Sequence, residues 1–408
     1  MPDTWQRRRL DGLLEVVHGY AFSGDKMSEI ITGNPIVVSI GNFNYRGGFR
    51  FESTRIREFT GDYPKQFELC SGDLLIAMTC QTPGGEILGL PGMIPDDGRT
   101  YLHNQRIGKV IINPALLDKR FAFYCFLTKM VNQQLVSTAS GTKILHTAPA
   151  RIGAVQIDVP PIWEQKAISA ALRALDDKIA VNDRIAESAR ALGQTHFRAA
   201  VAENDAQEVQ LASITEFLSR GVAPRYTEDN SQLRVLNQKC IRGGRVNLTP
   251  SRRTIGDKVP TSKMLRSHDI LVNSTGVGTL GRLARWTGES PCTADSHITI
   301  VRFDPVRTDP VCSGFSMLDI QPEIEALGEG STGQTELSRS QLATLRLVLP
   351  SREKAIQLRP KLDVLEKRAD SALEESLKLT EMRDTLLPKL MSGEIRIRDA
   401  EKAIEETA

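Results

Sequence analysis

The chain has 408 residues, with 52 Lys and Arg against 50 Asp and Glu, a net charge of +2, 40% hydrophobic and 25% charged residues. That length accommodates two or three domains of about 100–200 residues, and the composition is that of an ordinary soluble globular protein. The near-neutral total excludes a strongly basic chromatin-type protein but leaves local DNA contact open.

Residues 1–158 alternate short apolar runs with turn signals. Strands are predicted at Pro35–Ile40, Leu74–Met78 and Arg106–Ile112, the last ended by Asn113-Pro114. One helix follows, from Pro114 to about Leu135. After Pro160-Pro161 a second helix runs from Trp163 to about Val201, with no proline and only Gly193 inside it. Residues 209–348 repeat the first style, with strands at Leu233–Leu236, Asp269–Val272, His297–Phe303 and Leu345–Leu349 and a helix near Val311–Ile320. A long helix closes the chain, with Pro360 expected to kink or restart it and Pro388 to end its regular part before Gly393.

The chain therefore says nearly the same thing twice, about 190 residues apart. Gly141 answers to Gly333, Val159-Pro160 to Leu349-Pro350, Lys166-Ala167-Ile168 to Lys354-Ala355-Ile356, and Ser71–Ile76 to Ser267–Val272. A period of this length is a whole module plus a helix, not a solenoid unit. In the first long helix Ile168, Leu172, Leu175, Ile179, Asn182, Ala186 and Ala189 recur at alternating fours and threes. Leu358, Leu362, Leu365, Ala369, Ala372, Ser376 and Leu379 do so in the second, which is the seam of a two-helix coiled coil. Ile168, Leu172, Leu175, Ile179, Leu362, Leu365 and Leu379 are the expected packing residues, and Asn182 is expected to fix register. About 38 helical residues span roughly 57 Å, a spacer's length.

The fold expected is α+β: two similar mixed modules separated by two long antiparallel helices packed as a coiled coil. The boundaries read as 1–158 for module one, 159–203 for the first helix, 204–349 for module two and 350–408 for the second helix and tail.

Catalytic motifs fare poorly. Gly276-Val277-Gly278-Thr279-Leu280-Gly281 has the spacing of a dinucleotide loop, but Arg282–Glu289 alternates as a strand and not a helix, so the glycines belong to a hairpin turn. Asp158-Val159-Pro160-Pro161-Ile162 lacks the aromatic of a base-methyltransferase loop. No phosphate-binding G-x-x-x-x-G-K-[ST] occurs, and the six histidines form no H-x-x-x-H pair for a metal. The six cysteines (70, 80, 125, 240, 292, 312) form no C-x-x-C pair, which argues against a thiolate zinc site or disulfide framework and for a reducing cytoplasm. The start MPDTWQRRRL is not a signal peptide, and no apolar run reaches the ~18–20 residues of a membrane span. Basic loops are the better signal. Arg242 to Arg266 holds seven Lys and Arg against one Asp, with weaker counterparts at Asn44–Arg50 and Arg55–Arg57 and a small-residue turn at Ser140–Lys143. Any one of these residues reads as well as a solvated charge; as a cluster in both modules they favour phosphate and guanine contacts. The DNA-binding candidates are Arg46, Arg50, Thr142, Lys143, Arg225, Arg252, Arg253 and Lys263, with no catalytic and no metal residue.

At this point the sequence resembles the specificity subunit of type I restriction–modification systems. The likeness is carried by Ser71–Thr79, Leu102–Lys109, Ser140–Thr142, Val159–Ile168 with Leu172 and Asp176–Ile179, and the tail Leu386–Ile395. The second copy departs from it at Pro350-Ser351-Arg352-Glu353-Lys354, which lacks the double proline and the Glu-Gln pair. The resemblance implies two target-recognition domains, each reading half of a bipartite double-stranded DNA site, with the helices setting the gap and docking two methyltransferase subunits. S-adenosylmethionine and ATP are expected on partner subunits, restriction/translocase subunits join for cleavage, and the chain itself carries no cofactor. Alternatives are the specificity part of a related two-subunit modification and cleavage system, a fused enzyme, or a coiled-coil scaffold that does not bind DNA.

Overall fold

In the computed structural model the described residues are 4–276, 278–327 and 336–405; Val277 and Gly333 lie outside them. The chain divides into two compact units, residues 1–181 with 375–408, and residues 182–374.

The first unit contains β1 (Gln6–Arg9), β2 (Leu14–His18), β3 (Met27–Ser28), β4 (Ile36–Val38), β5 (Glu58–Phe59), β6 (Leu74–Ala77), β7 (Pro91–Met93), β8 (Tyr101–His103) and β9 (Ile107–Ile112). Helices α1 (Lys119–Leu127) and α2 (Lys129–Thr138) and strand β10 (Gln156–Val159) precede the long α3 (Ile162–Val201). One sheet runs β2-β9-β6-β7; a second places β3-β5-β4-β8 side by side, with β4 and β8 parallel. β1 pairs with β10. Leu74, Leu75 and Ile76 are fully buried, so this strand reads as a continuous apolar run with no polar face.

The second unit repeats the frame with β11 (Gln207–Gln210), β12 (Thr215–Arg220), β13 (Tyr226–Thr227), β14 (Leu233–Leu236), β15 (Arg252–Thr254), β16 (Ile270–Asn273), β17 (Leu283–Arg285), β18 (Cys292–Ala294) and β19 (Ile298–Phe303). Helix α4 (Pro310–Asp319), β20 (Arg346–Leu349) and the long α5 (Arg352–Ser392) complete it. The orders β12-β19-β16-β17 and β13-β15-β14-β18 and the pair β11-β20 reproduce the first unit strand for strand.

The devices that hold the frame are duplicated too. Asp118 caps α1 by accepting from Arg120 N and Phe121 N, and Asp309 caps α4 through Val311 N and Cys312 N. Asp73 accepts from Cys70 N and pairs with Lys109; Asp269 accepts from Arg266 N and pairs with Arg302. The turn before each aspartate needs a left-handed residue, supplied by Gly72 (φ 78°) in one copy and by His268 (φ 72°) in the other. At Gly19 and Gly221 a Cβ would collide with the backbone oxygens of His103 and Asn104, and of Ala294 and Asp295, so both sites require glycine.

The long helices pack antiparallel within each unit. In the first, Ile168, Leu172 and Leu175 are buried in one core with Leu379, Leu386 and Leu390, and Ile179 packs against it. Lys178 meets Glu375 at 3.1 Å, and Arg383 meets Asp176 at 2.8 Å. In the second unit Ala186, Ala189, Ala369 and Ala372 form a small-residue seam joined by Leu365, and Leu362 packs with Phe197 and Phe315. Asn182 is buried.

Three element boundaries differ from expectation. The helix expected over Pro114–Leu135 is two: Asn113 turns the chain, Asp118 starts α1, and Thr128 ends it by capping α2. α5 passes through both Pro360 and Pro388. Pro360, Pro388 and the residues four earlier, Ile356 and Asp384, are exposed, so the carbonyls that lose their partners can turn to water. Buried Leu390 and Met391 hold the last turn, and Gly393 (φ 70°) caps it, donating to Leu390 O. The strand expected over Arg282–Glu289 is the short β17; it pairs antiparallel with β16, and Gly276, Gly278 and Gly281 all have positive φ, as a hairpin turn requires.

Candidate nucleic-acid interface

In the first unit the candidates fall on separate loops. Arg46 is exposed on the tight turn Asn44–Gly48, whose Gly48 N donates to Pro91 O. Arg50 is half-buried next to it, with an Nε that has no hydrogen-bond partner among the described residues. Thr142 and Lys143 are exposed on a turn closed by the Ser140–His146 bridge. That turn needs its glycine: Gly141 has φ 100°, and a Cβ there would meet Ile144 O. Its base is pinned to Thr79, two residues past β6, by the contact of Thr79 Oγ1 with His146 Nδ1 (3.0 Å).

In the second unit three candidates come together. Arg225 precedes β13, Arg252 and Arg253 lie on β15, and the two strands pair, with Tyr226 opposite Thr254. Their roles differ. Arg253 donates to Gln232 O (2.9 Å) and so helps hold its own turn. The Arg252 guanidinium sits 3.6 Å from the centre of the half-exposed Tyr226 ring, and no carboxylate pairs with it or with Arg225 among the described residues. Partial burial pushes the Tyr226 phenol above its ordinary range, so the ring stays neutral under the cation. Lys263 stands apart on another loop, donating to Gly221 O at 2.8 Å. With Arg220, Arg339 and Ser338 it lines a surface cleft of about 660 Å³, where Glu336 pairs with Arg220 at 2.6 Å.

Two further arginines, Arg339 and Arg57, take positions that the sequence does not mark. Arg339 of the cleft carried only a weak signal, the Ser338–Gln341 capping box that starts its helix. Arg57 is the register counterpart of Arg252, a relation visible only once the strands are aligned. Burial pushes the Cys240 thiol up to about 11 and Cys292 to about 12, and drives Cys125 and Cys312 higher still, which keeps these thiols protonated at neutral pH. Among the described residues no group of three or more His, Cys, Asp or Glu is placed to hold a metal, and no helix is long and apolar enough to cross a membrane.

A duplicated α+β module on an antiparallel helix pair is the architecture of a solved type I restriction–modification S subunit. That S subunit, from M. genitalium, superposes with a TM-score of 0.63 over 95% of this chain and 96% of its own, at 16% identity. The HsdS subunit from Thermoanaerobacter tengcongensis aligns over 97% of this chain and 98% of its own, at 15% identity and a TM-score of 0.34. Residues 2–189 match the family described as type I restriction modification DNA specificity domain. The type I restriction enzyme MjaVIII specificity subunit of Methanocaldococcus jannaschii is 25% identical over 183 residues, 44% of this chain and 41% of that protein. The match thus spans less than half of that curated relative. Residues 2–189, a little under half of the chain, are thus similar to the type I restriction–modification DNA specificity family, and the chain shares the fold of a solved S subunit.

Proposed function

We propose that this chain is the DNA-recognition subunit of a cytoplasmic type I restriction–modification complex. Each module reads one half of a bipartite double-stranded site, and the helix pair sets the gap and docks two methyltransferase subunits. The chain contributes recognition and no chemistry of its own. S-adenosylmethionine and ATP belong to the partner subunits, whose assembly supplies adenine methylation and, with restriction subunits, cleavage. The observation that carries this reading is the strand-for-strand duplication of a module bearing exposed arginines. A ligand with two half-sites is what such a repeat fits. Fixed spacing matters because base edges face one side of the duplex once per turn, roughly 34 Å.

The test is co-expression with the neighbouring methyltransferase gene in a methylation-free host, followed by sequencing of modified bases. A single bipartite motif with methyladenine in each half is the expected result. Methylation at a continuous site overturns the two-module reading. A stable complex without methylation points to the coiled-coil scaffold.

A further inference from the structure

The duplication allows the two reading edges to be compared residue by residue, and they differ in charge. In the first unit β5 lies between β3 and β4, with Met27 opposite Phe59, Ser28 opposite Glu58, and Val37 N bonded to Arg57 O. In the second, β15 lies between β13 and β14, with Tyr226 opposite Thr254, Thr227 opposite Arg253, and Val235 opposite Arg252. The flanking bonds agree as well, Thr60 N to Lys26 O and Ile255 N to Arg225 O. Lys26, Met27, Glu29, Arg57 and Glu58 therefore occupy the positions of Arg225, Tyr226, Glu228, Arg252 and Arg253.

At these positions the first edge balances two cations with two carboxylates, whereas the second holds three arginines and Glu228. The arginine common to both has a different setting in each. Arg57 is paired with Glu29 at 2.7 Å. Among the described residues Arg252 pairs with no carboxylate, and its guanidinium sits over the ring of Tyr226, whose register position in the first unit holds Met27. Glu58, the counterpart of Arg253, is spent internally: it is buried and accepts from Thr32 N (2.8 Å) and Gly33 N (3.0 Å).

We propose that Arg252 is the base-reading residue of the second module, that it requires guanine, and that Glu29 silences the equivalent arginine of the first. The inference rests on the DNA-reading role proposed above. Contact with the Tyr226 ring, 3.6 Å from its centre, occupies one side of the guanidinium and restricts where the side chain can sit. The N–H groups along its edge stay free to meet O6 and N7 of a guanine, the base whose major-groove edge offers two acceptors. Holding the side chain in place beforehand removes part of the ordering cost that a free arginine meets on binding. Arg225 alongside supplies a phosphate contact, which adds affinity without sequence information.

The experiment repeats the methylation mapping with the assembled complex carrying R252K, R252A or E29Q. R252K keeps the charge and loses the bidentate fork. It is expected to relax one guanine in one half-site, leave the other half-site unchanged, and weaken binding of the cognate duplex by on the order of 10- to 100-fold. E29Q is expected to steepen the salt dependence of binding to an unrelated duplex by about one phosphate contact. If R252K retains the wild-type motif, Arg252 is at most a phosphate contact and the inference falls. If R252A abolishes methylation but R252K leaves the motif intact, the same conclusion holds. An unchanged salt slope in E29Q overturns the silencing of Arg57. Failure of the wild-type complex to give any bipartite motif refutes the proposed function itself and is told apart by that control.

Discussion

The two aspartates that begin the central strands make a paired test of what burial does to an ion pair. Asp269 and Arg302 have side chains only 1% and 7% exposed and meet at 2.6 Å; Asp73 and Lys109 meet at the same distance but are 18% and 28% exposed. Replacing Asp269 by Ala leaves the Arg302 guanidinium buried, with the carbonyls of Ser262 (3.2 Å) and Met264 (2.8 Å) as its remaining acceptors. Stranding a buried charge in this way costs about 3–5 kcal/mol. Asp73→Ala loses the same local bond to Cys70 N, but water can reach Lys109, so the expected loss is about 1 kcal/mol. Trp286 is buried, and its N donates to Asp269 O, so its fluorescence follows the second unit, while Trp5 and Trp163 lie in the first. Urea titration of each variant in a background with Trp5 and Trp163 replaced by Phe reads D269A; the background with only Trp5 retained reads D73A. Losses within about 1 kcal/mol of each other would refute the burial argument. The double replacement D269L/R302M is expected to recover most of the D269A loss, because it removes the stranded charge along with its partner.

Gly221→Ala is expected to destabilise the second unit by about 1–3 kcal/mol, since the new methyl meets the oxygens of Ala294 and Asp295; an unchanged urea midpoint would show that the strand can yield. Ala369→Leu in the small-residue seam is expected to cost a similar ~1–3 kcal/mol by forcing the helices apart, read as a lowered thermal midpoint. Burial holds the imidazoles of His103 and His268 below their ordinary range, His268 also through the neighbouring Arg285. The unfolded chain takes up these protons near pH 6.5 and the folded chain only at lower pH. Their contribution is therefore complete above about pH 6.5 and is lost as the pH falls below it. Urea midpoints of the wild type should drop from pH 7 to pH 5 more than those of H103N/H268N; parallel curves would be the contrary result.

Much of this frame was legible in the residues. The repeat predicted two modules because Ser71–Ile76 and Ser267–Val272 encode the same turn, aspartate and buried strand, and those are β6 and β16. The seam was legible because a periodicity of alternating fours and threes has few other uses. What failed was local punctuation. Thr128 gave no sign that it would cap a second helix, since threonine is ordinary inside one. The two prolines of α5 are tolerated only because their sides of the helix face water, which depends on tertiary packing. The Glu164-Gln165 pair was recognisable as a motif but its work was not. Gln165 accepts from Asp118 N and donates to Leu116 O and Pro160 O, and Glu164 accepts from Trp5 Nε1. The pair ties the start of α3 to the first module.

The candidate site was legible only as composition. Arg252, Arg253 and Lys263 share the charge that marks them in the sequence, yet Arg253 and Lys263 hold backbone carbonyls while Arg252 holds none among the described residues. Charge density cannot make that distinction, because a guanidinium serves a turn and a ligand with the same donors. Register can, since it places Arg57 under Glu29 and Arg252 over Tyr226 at one position of a repeated sheet. The paired positions then sort themselves. Asp73 and Asp269, Asp118 and Asp309, Gly19 and Gly221 keep their chemistry because the backbone fails without them. Glu58 and Arg253 reverse their charge, and Met27 and Tyr226 change from thioether to ring, without disturbing the strands that carry them. A position that can change this much inside an unchanged frame is free to be set by a ligand, and under the proposed DNA-recognition role it is where the two halves of one chain would differ in what they read.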